Sequence, residues 1–535
     1  MTMTETRPGA HDEAAHASSE AFSAQPMSGV ADWLTTTDHT KVGRLYVVCS
    51  LLFGSAALAL AGLVAVERID PAALSLFDRA TDAAQANTLA VWGLMFCAAL
   101  PLLIGLAVAV VPLQVGGRSI AFPRAVTFSF WLWLAGSAGL IGSIIGNGGP
   151  AGGEPDAVGL YLLSLGVICL GLLVAAACVA TTVLTHRAPG MRLDRVPFFA
   201  WSALVQGVMV LLVLPVLVGE LVFQYVDHRN GRIAFLGNTG IAPYLQWMVR
   251  QPTTGLMVIP ALGVIADVIP VFTRGRNRVG GAVRGAIALA GVVSFGAFAQ
   301  DKVYDKVTTE ATFIIISILM ALPAVLVVAA SLSSVRKGVK ISARAPFVWA
   351  MLTGLLAMAG GVVAVLLPIK SLELLGSAYE QAQFDVAAGV AILGGLTGLA
   401  YWGPKLWGRT LPDGPASGLA LLGALGVALT GGSLIVAGFI DQPRGAVEFI
   451  DEDATGVLNV LATVGYGLVA LAVLGSLALL VQAVLARGGE PAGADPFEGH
   501  TLEWATTSPP PPGNFAGPLP VVSSDRPLLD TREAS

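Results

Sequence analysis

The chain has 535 residues, of which 55% are hydrophobic and 12% are charged, with a formal net charge of −5. This composition is typical of a polytopic membrane protein and excludes an ordinary soluble enzyme or a nucleic-acid-binding protein. The first 30 residues are polar and lack the apolar stretch of a secretory signal. We therefore predict a disordered cytoplasmic tail over residues 1–30.

Apolar windows of about 20 residues follow one another along the rest of the chain. They predict twelve transmembrane helices with the limits 42–66, 88–112, 125–146, 158–185, 196–224, 241–270, 279–300, 311–334, 346–368, 383–403, 417–440 and 457–486. These helices form one membrane domain, residues 31–488, and a Pro-rich cytoplasmic tail follows, residues 489–535. The predicted fold is an all-α membrane protein, a bundle of twelve transmembrane helices.

The loop charges predict the orientation of this bundle. Most Lys and Arg residues fall in loops on the side that also carries both termini. By the positive-inside rule this side faces the cytoplasm of a bacterial-type plasma membrane. The four cysteines lie in apolar segments without a CxxC spacing, which indicates small buried side chains. The 63 glycines predict close helix packing.

Four stretches have an order and spacing that composition does not explain. They are Arg250–Arg274, Trp33–Tyr46 before the first span, Val111–Arg124 after the second, and Thr501–Pro512 in the tail. Arg250–Arg274 is apolar and contains three prolines, so in lipid its freed carbonyls need partners in neighbouring helices. Together the four stretches closely resemble motifs of subunit I of the haem-copper oxidases, the cytochrome c oxidase type.

The resemblance covers roughly residues 33–515. It implies the subunit I fold and the family's functions, which are cytochrome c oxidation, oxygen reduction and proton pumping in aerobic respiration. It also implies two haems and copper, held by histidines in the spans, and other oxidase-type membrane subunits as partners. Each of these expectations depends on the residues at the family's site positions.

The family's copper-binding residues are replaced at the positions that the resemblance aligns. Its copper-binding His falls on Gln251, and its copper-site Tyr falls on Gly255. The region that should contain its adjacent His pair has Phe298, Ala299 and Gln300 instead. Copper(II) prefers imidazole ligands, so the aligned residues predict no copper site.

The haem-ligand positions are replaced as well. The His that binds the low-spin haem falls on Ala90. The two histidines of the tenth span fall on Ala382 and Phe384, or on Gln383 and Asp385 if the alignment has a one-residue gap. Axial ligation of haem iron needs a lone pair from His, Cys, Met or Tyr. We therefore predict no haem at these positions.

The proton-channel positions are changed too. The family's channel-opening Asp falls on Ser119, its proton-carrying Glu on Thr253 and its second-channel Lys on Val327. Arg444 matches one arginine of the pair that holds haem propionates, and the second arginine is Gly445. Arg444 is thus the one candidate for a residual cofactor contact.

All histidines fall in predicted tails or loops: His11, His16, His39, His186, His228 and His500. His500 in particular is predicted to be exposed. Because none is expected in the membrane interior, we predict that the chain has lost oxygen reduction and has kept the scaffold. It is predicted to be a pseudoenzyme without haem or copper.

The space of the lost cofactors then has to be filled. A haem-sized void of roughly 500 Å³ would cost on the order of 12 kcal/mol at about 24 cal/mol per Å³. One interpretation is that the helices have closed inward, with Trp92, Phe298 and Phe384 as fillers. The other is that a lipid or a quinone occupies the space.

Three functions remain open. The first is a non-catalytic scaffold, assembly or regulatory subunit of a respiratory-type membrane complex. The second is a redox protein that holds haem through unusual ligands, for which the candidates are Met95, Met257, Tyr379 and Lys302.

The third is a proton or small-molecule carrier, because acidic and basic side chains inside a membrane are costly and are often functional. The candidates are Glu220, Asp267, Lys302, Glu380 and Asp385. The simpler interpretation of these residues is that they are charges at helix ends.

Overall fold

A computed structural model describes residues 29–70, 76–77, 79–150, 152–232, 245, 252–295, 307–335, 341–445, 452–485 and 488–534. The predicted N-terminal tail lies outside these residues, except that a short helix, Gly29–Leu34, includes its last two. The described residues are almost entirely helical and contain no β-strand. The prediction of an all-α fold is confirmed.

The long helices are numbered in chain order. They are α1 (His39–Glu67), α2 (Ala80–Trp92, continuing through Gly93–Ala99 into Leu100–Gln114), α3 (Pro123–Ile145), α4 (Pro155–Thr185), α5 (Phe198–Asn230), α6 (Pro252–Phe272), α7 (Gly280–Phe295), α8 (Val307–Leu332), α9 (Ala345–Leu366), α10 (Ala378–Trp407), α11 (Asp413–Phe439) and α12 (Glu452–Val484). A last short helix, Pro527–Ala534, follows in the C-terminal segment.

Each predicted span overlaps with one of these helices, although residues 241–251 of the sixth predicted span, apart from residue 245, lie outside the described residues. Eleven of the described helices are long and apolar enough to cross a membrane. The exception is α7, which is described for 16 residues, and its predicted end at 296–300 lies outside the described residues. The chain is therefore a multi-span helical membrane protein.

Two helices form the centre of the bundle. The most apolar windows of α2 and α10 are entirely buried inside the protein, whereas about half or less of the corresponding window of α1, α3, α11 or α12 is buried. Glycines bring the two central helices together, since a Cβ added to Gly395 of α10 would lie 2.5 Å from Leu102 Cδ2 of α2. This contact agrees with the small-residue packing of membrane helices.

Candidate functional site

The haem-ligand position of α2 lies beside a π-helical stretch. Ala90 is 2% exposed, and the π-helical turns run over Gly93–Ala99 directly after it. Trp92 stacks on Phe96 with 5.5 Å between ring centroids, and the Phe96 carbonyl accepts a hydrogen bond from Trp133 Nε1 at 2.9 Å. Aromatic side chains therefore fill the bundle next to this position, as inward closure of the helices requires.

The ligand positions of α10 are equally enclosed. Ala382 is fully buried and Phe384 is 2% exposed, so both pack inside the bundle. At the alternative positions, Gln383 is 4% exposed and no hydrogen-bond partner reaches its Oε1, whereas Asp385 accepts a hydrogen bond from Tyr466. None of these four side chains offers a nitrogen or sulfur lone pair for iron.

Two small cavities remain near these positions. One, of about 70 Å³, lies between α6, α7, α8, α9 and α10, and Gly255, Ser294 and Gln383 are in its wall. The other, of about 20 Å³, is lined by Asp385 and Tyr466. Both cavities are far smaller than a haem.

The described residues at the aligned haem positions do not fit a haem. A haem needs roughly 500 Å³, the volume used above for the cost of a void, and the larger cavity has about 70 Å³. Met320 supplies a thioether to its wall, but that volume is too small for a porphyrin. No group of three His, Cys, Asp or Glu suited to a metal occurs among the described residues.

Three of the four other proposed haem ligands are occupied or packed. Met95 and Met257 are fully buried in the hydrophobic core, and Tyr379 Oη donates a hydrogen bond to the Val363 carbonyl at 2.8 Å. Several sequence candidates lie outside the described residues or have undescribed side chains. They are Gln251, Thr253, Phe298, Ala299, Gln300 and Lys302.

Three histidines lie in surroundings that differ from the predicted tails and exposed loops. His39 is the first residue of α1 and is buried, with its ring nitrogens 3.2 Å from Val108 O and 3.0 Å from Asn514 Oδ1. His228 lies in the last turn of α5. The expectation that His500 is exposed was wrong, because the C-terminal segment folds back over it.

His500 is held in a buried, positively charged setting. Its Nδ1 lies 2.7 Å from Arg526 Nη1, which must donate because a guanidinium has no acceptor. Burial and then the charge of Arg526 lower the pKa of His500 well below its usual range. The neutral ring is thus a structural hydrogen-bond acceptor.

Arg444, the candidate for a residual cofactor contact, makes a buried ion pair. Its Nη1 lies 2.6 Å from Glu380 Oε1, and the Glu380 side chain is only 2% exposed. The second carboxylate oxygen accepts a hydrogen bond from the Gly376 amide at 2.8 Å, and the Arg444 amide donates to Gly376 O at 2.7 Å. The guanidinium therefore has a protein partner where the resemblance implies a propionate.

A hydrogen-bonded network that the sequence did not predict lies beside this pair. Arg68 Nη1 donates to Gln381 Oε1 at 3.3 Å, and Gln381 Nε2 donates to Tyr466 Oη at 3.2 Å. Tyr466 in turn donates to Asp385 Oδ2 at 2.5 Å. The signal in the sequence was four polar residues within or next to predicted spans, but nothing indicated that α1, α10 and α12 bring them together.

Asp267 lies at the opposite end of the bundle and caps a helix. Its oxygens accept hydrogen bonds from the amides of Phe198 at 3.1 Å and Phe199 at 2.9 Å, in the first turn of α5. Gln114 Nε2 donates a further hydrogen bond at 3.2 Å. Such capping satisfies amides that have no partner within the helix, which is a structural role.

The remaining polar candidates do not converge. Glu220 is half-buried in α5, 22 residues after the end capped by Asp267, which corresponds to about 33 Å along the helix. Ser119 lies in the loop after α2, and Val327 is fully buried in α8. These placements form no continuous polar path among the described residues.

Glu503 is a buried carboxyl that sequence reasoning missed. It is fully enclosed and accepts hydrogen bonds from Trp402 Nε1 at 2.9 Å and Thr501 Oγ1 at 2.7 Å. Gln114 Nε2 lies 3.4 Å from the same oxygen. Burial raises the pKa of Glu503 to about 7, and these hydrogen bonds oppose that effect.

Replacing Glu503 with glutamine is expected to make the stability of the protein less dependent on pH. Because the pKa rises from 4.5 to about 7 on folding, ionisation destabilises the folded state progressively across that pH window. Relative to the wild type, Glu503→Gln should gain about 2.5 kcal/mol in free energy of unfolding between pH 5 and pH 8. Thermal or denaturant unfolding at the two pH values measures this gain.

The matched control for this measurement is Glu490→Gln, which alters an exposed glutamate of the same C-terminal segment. Its stability relative to the wild type should be the same at both pH values. Equal behaviour of the Glu503 and Glu490 variants would contradict the assignment of a buried titrating carboxyl.

The fold and these positions together define a polytopic helical membrane protein in which α2, α6 and α10 carry aligned site positions. Residues 41–468 match the family described as Cytochrome C and Quinol oxidase polypeptide I. The chain belongs to this family, subunit I of the haem-copper oxidases.

Relatives of this chain align with nearly its whole length. The probable cytochrome c oxidase subunit 1-alpha of Streptomyces avermitilis is 31% identical over 534 residues, covering 95% of this chain and 90% of that protein. Cytochrome c oxidase subunit 1 of Bacillus subtilis is 29% identical, covering 94% and 83%. The heme-copper oxidase subunit I+III of Aeropyrum pernix is 31% identical, covering 95% and 64%.

Proposed function

We propose that this chain is a non-catalytic subunit I homologue, acting as a scaffold, assembly or regulatory component of a respiratory-type complex in a bacterial plasma membrane. The observation that carries this proposal is the packing at the aligned haem positions, where Ala90, Ala382 and Phe384 are enclosed and offer no ligand atom. Both termini are proposed to lie in the cytoplasm, as the loop charges indicate.

The C-terminal segment supports a role in assembly, because it is built into the end of the bundle. Lys405 Nζ of α10 donates to Thr506 O at 2.7 Å and to Ala494 O at 2.9 Å. Trp504 Nε1 donates to Tyr401 Oη at 2.9 Å, and Asn514 Nδ2 donates to Gly117 O at 2.7 Å. The chain thus keeps an ordered surface although the aligned cofactor positions are closed.

The carrier and haem alternatives have weaker support. Asp267 caps α5, and Glu380 is paired with Arg444, so both have structural partners. A quinone head group is larger than the residual cavity allows, because a cavity that binds benzene alone has about 150 Å³ and this cavity has about 70 Å³. A structural role in a complex explains both the retained fold and the closed interior.

Purification of the tagged chain from native membranes in mild detergent tests the proposal. We expect other oxidase-type membrane subunits to co-purify, and we expect no cyanide-sensitive oxygen consumption beyond that of any catalytic subunit I in the sample. Recovery of the chain alone would contradict the partner claim. Oxygen reduction by a preparation without another subunit I would contradict the non-catalytic claim.

A further inference from the structure

Residues 522–534, here called the latch, end in the short helix Pro527–Ala534 and cover the loop that contains His500. The Leu528 amide donates to His500 O at 3.2 Å, and Arg526 Nη1 donates to His500 Nδ1 at 2.7 Å. Arg526 must be the donor, because a guanidinium has no acceptor. The latch is thus attached to His500 by two hydrogen bonds, one of which requires a neutral ring.

Arg526 is buried with few compensating contacts. It is 2% exposed, and no described residue forms a hydrogen bond with its Nε or Nη2. Its guanidinium lies 5.7 Å from the centre of the Phe198 ring, and the nearby Asp267 and Asp525 offset part of its charge. Because a buried cation with unsatisfied donors is unfavourable, loss of the bond to His500 favours the return of Arg526 to solvent.

The charges nearest to the His500 ring are positive. Arg526 and Arg532 face it from the latch, and Arg276 faces it from the loop after α6. The described acidic groups of this region are paired or exposed: Asp530 and Glu533 pair with Arg276, Asp525 with Arg284 and Asp495 with Arg532, and Glu498 is exposed. Burial and the three positive charges together hold the pKa of His500 well below its usual range.

The rest of the latch is held by contacts that break easily. Arg276 pairs with Asp530, but this arginine side chain is 37% exposed, and partly exposed ion pairs stabilise little. The buried residues of the latch are Val522, Arg526 and Pro527. Opening of the latch therefore exposes little apolar surface and leaves the membrane helices folded.

We propose that residues 522–534 form a pH-dependent latch, which is closed while His500 is neutral and opens when His500 takes up a proton. The proton removes the acceptor for Arg526 Nη1 and adds a positive charge beside three arginines. The ring receives this proton from solvent in the open state, which protonation then favours. The latch does not depend on the proposed role of the chain in a complex.

Linkage gives the sign and the size of the effect. In the open state the ring titrates near its ordinary pKa of about 6.5, whereas in the closed state it stays neutral well below that pH. Opening therefore becomes about tenfold more favourable for each pH unit below 6.5, until the closed ring is itself protonated. At higher pH the opening equilibrium does not depend on His500.

Hydrogen–deuterium exchange of the purified full-length chain in detergent, read by mass spectrometry, tests the latch. The amides of Leu528 and Asp530 donate to His500 O and Arg526 O in the closed state, so their peptide reports opening. We expect its protection, corrected for the intrinsic exchange rate at each pH, to fall about thirtyfold from pH 7.5 to pH 5.0. Peptides of α2 and α10 should keep their protection.

His500→Asn separates titration of the ring from its structural role. Asparagine Oδ1 replaces Nδ1 as the acceptor for Arg526 but does not titrate, so protection of the latch should no longer depend on pH in this range. The matched control is His186→Asn, which alters an exposed histidine and should keep the wild-type pH dependence. If His500→Asn is not folded at pH 7.5, His500→Gln provides the same test, because its amide also accepts without titrating.

Glu503 titrates in the same pH range, but with the opposite sign. Its pKa is raised to about 7, so a lower pH favours its buried, protonated form. It accepts hydrogen bonds from Trp402 and Thr501, which lie outside the latch. Loss of latch protection at low pH is therefore not the effect expected from Glu503.

Three results would overturn the proposal. Unchanged latch protection between pH 7.5 and pH 5.0 in the wild type means that no latch opens. Equal pH dependence in the wild type and in the folded His500→Asn variant means that another group titrates. A simultaneous loss of protection in α2 and α10 means that the whole protein unfolds in acid.

Discussion

Replacing Gly255 with tyrosine is expected to prevent stable folding, although tyrosine is the residue that the family resemblance places there. A Cβ at Gly255 would overlap with Ser294 Oγ and would lie 2.8 Å from Ser294 Cβ, on the adjacent helix α7. Relief of this overlap requires α6 and α7 to separate, so we expect a loss of about 3 kcal/mol or more. The yield of monodisperse protein and its melting temperature measure the effect.

The control for this substitution is Gly166→Tyr in α4, where an added Cβ meets no atom within 4 Å. It introduces the same side chain into a membrane helix without a close neighbour, and it should leave yield and melting temperature almost unchanged. Equal tolerance of the two tyrosines would contradict closure of α6 against α7.

The second large effect is expected at the buried ion pair. Arg444→Met removes the guanidinium that lies 2.6 Å from Glu380 Oε1 and leaves a carboxylate that is 2% exposed. Breaking one side of a buried ion pair typically costs about 3–5 kcal/mol, because the remaining charge loses its compensation. We expect a loss of free energy of unfolding in this range, measured by thermal or denaturant unfolding in detergent.

A double-mutant cycle separates the ion pair from other effects of the substitution. Glu380→Gln combined with Arg444→Met should recover most of the stability lost in Arg444→Met, since no buried charge then lacks its partner. Strictly additive losses would contradict direct pairing. They would indicate that Arg444 acts elsewhere, for example on a bound anion.

The fold could be predicted from the sequence because a helix that crosses lipid requires a long apolar stretch of residues. Each span must satisfy its own backbone hydrogen bonds, so long apolar windows coincide with helices wherever the structure describes them. The central position of Arg250–Arg274 was also predictable, since the corresponding helix α6 is 89% buried in its apolar window.

The polar contacts between distant residues could not be predicted from the sequence. Glu503 meets Gln114 across 389 positions of the chain, and Arg68 meets Gln381 across 313. No local sequence pattern predicts contacts between residues so far apart in the chain. A loop residue such as His500 is likewise expected to be exposed, because the sequence does not show that the C-terminal segment covers it. The residue types at the aligned positions were enough to predict that haem and copper ligands are absent. The residual cavity beside Gln383 could not be predicted, because it depends on how five helices pack.

The most direct measurement is the absorption spectrum of the purified protein in its oxidised and reduced states, together with metal analysis. The enclosed alanines and phenylalanine at the aligned haem positions predict no Soret band and less than stoichiometric iron and copper. A Soret band with one haem per chain, or stoichiometric copper within the bundle, would contradict a closed, cofactor-free interior.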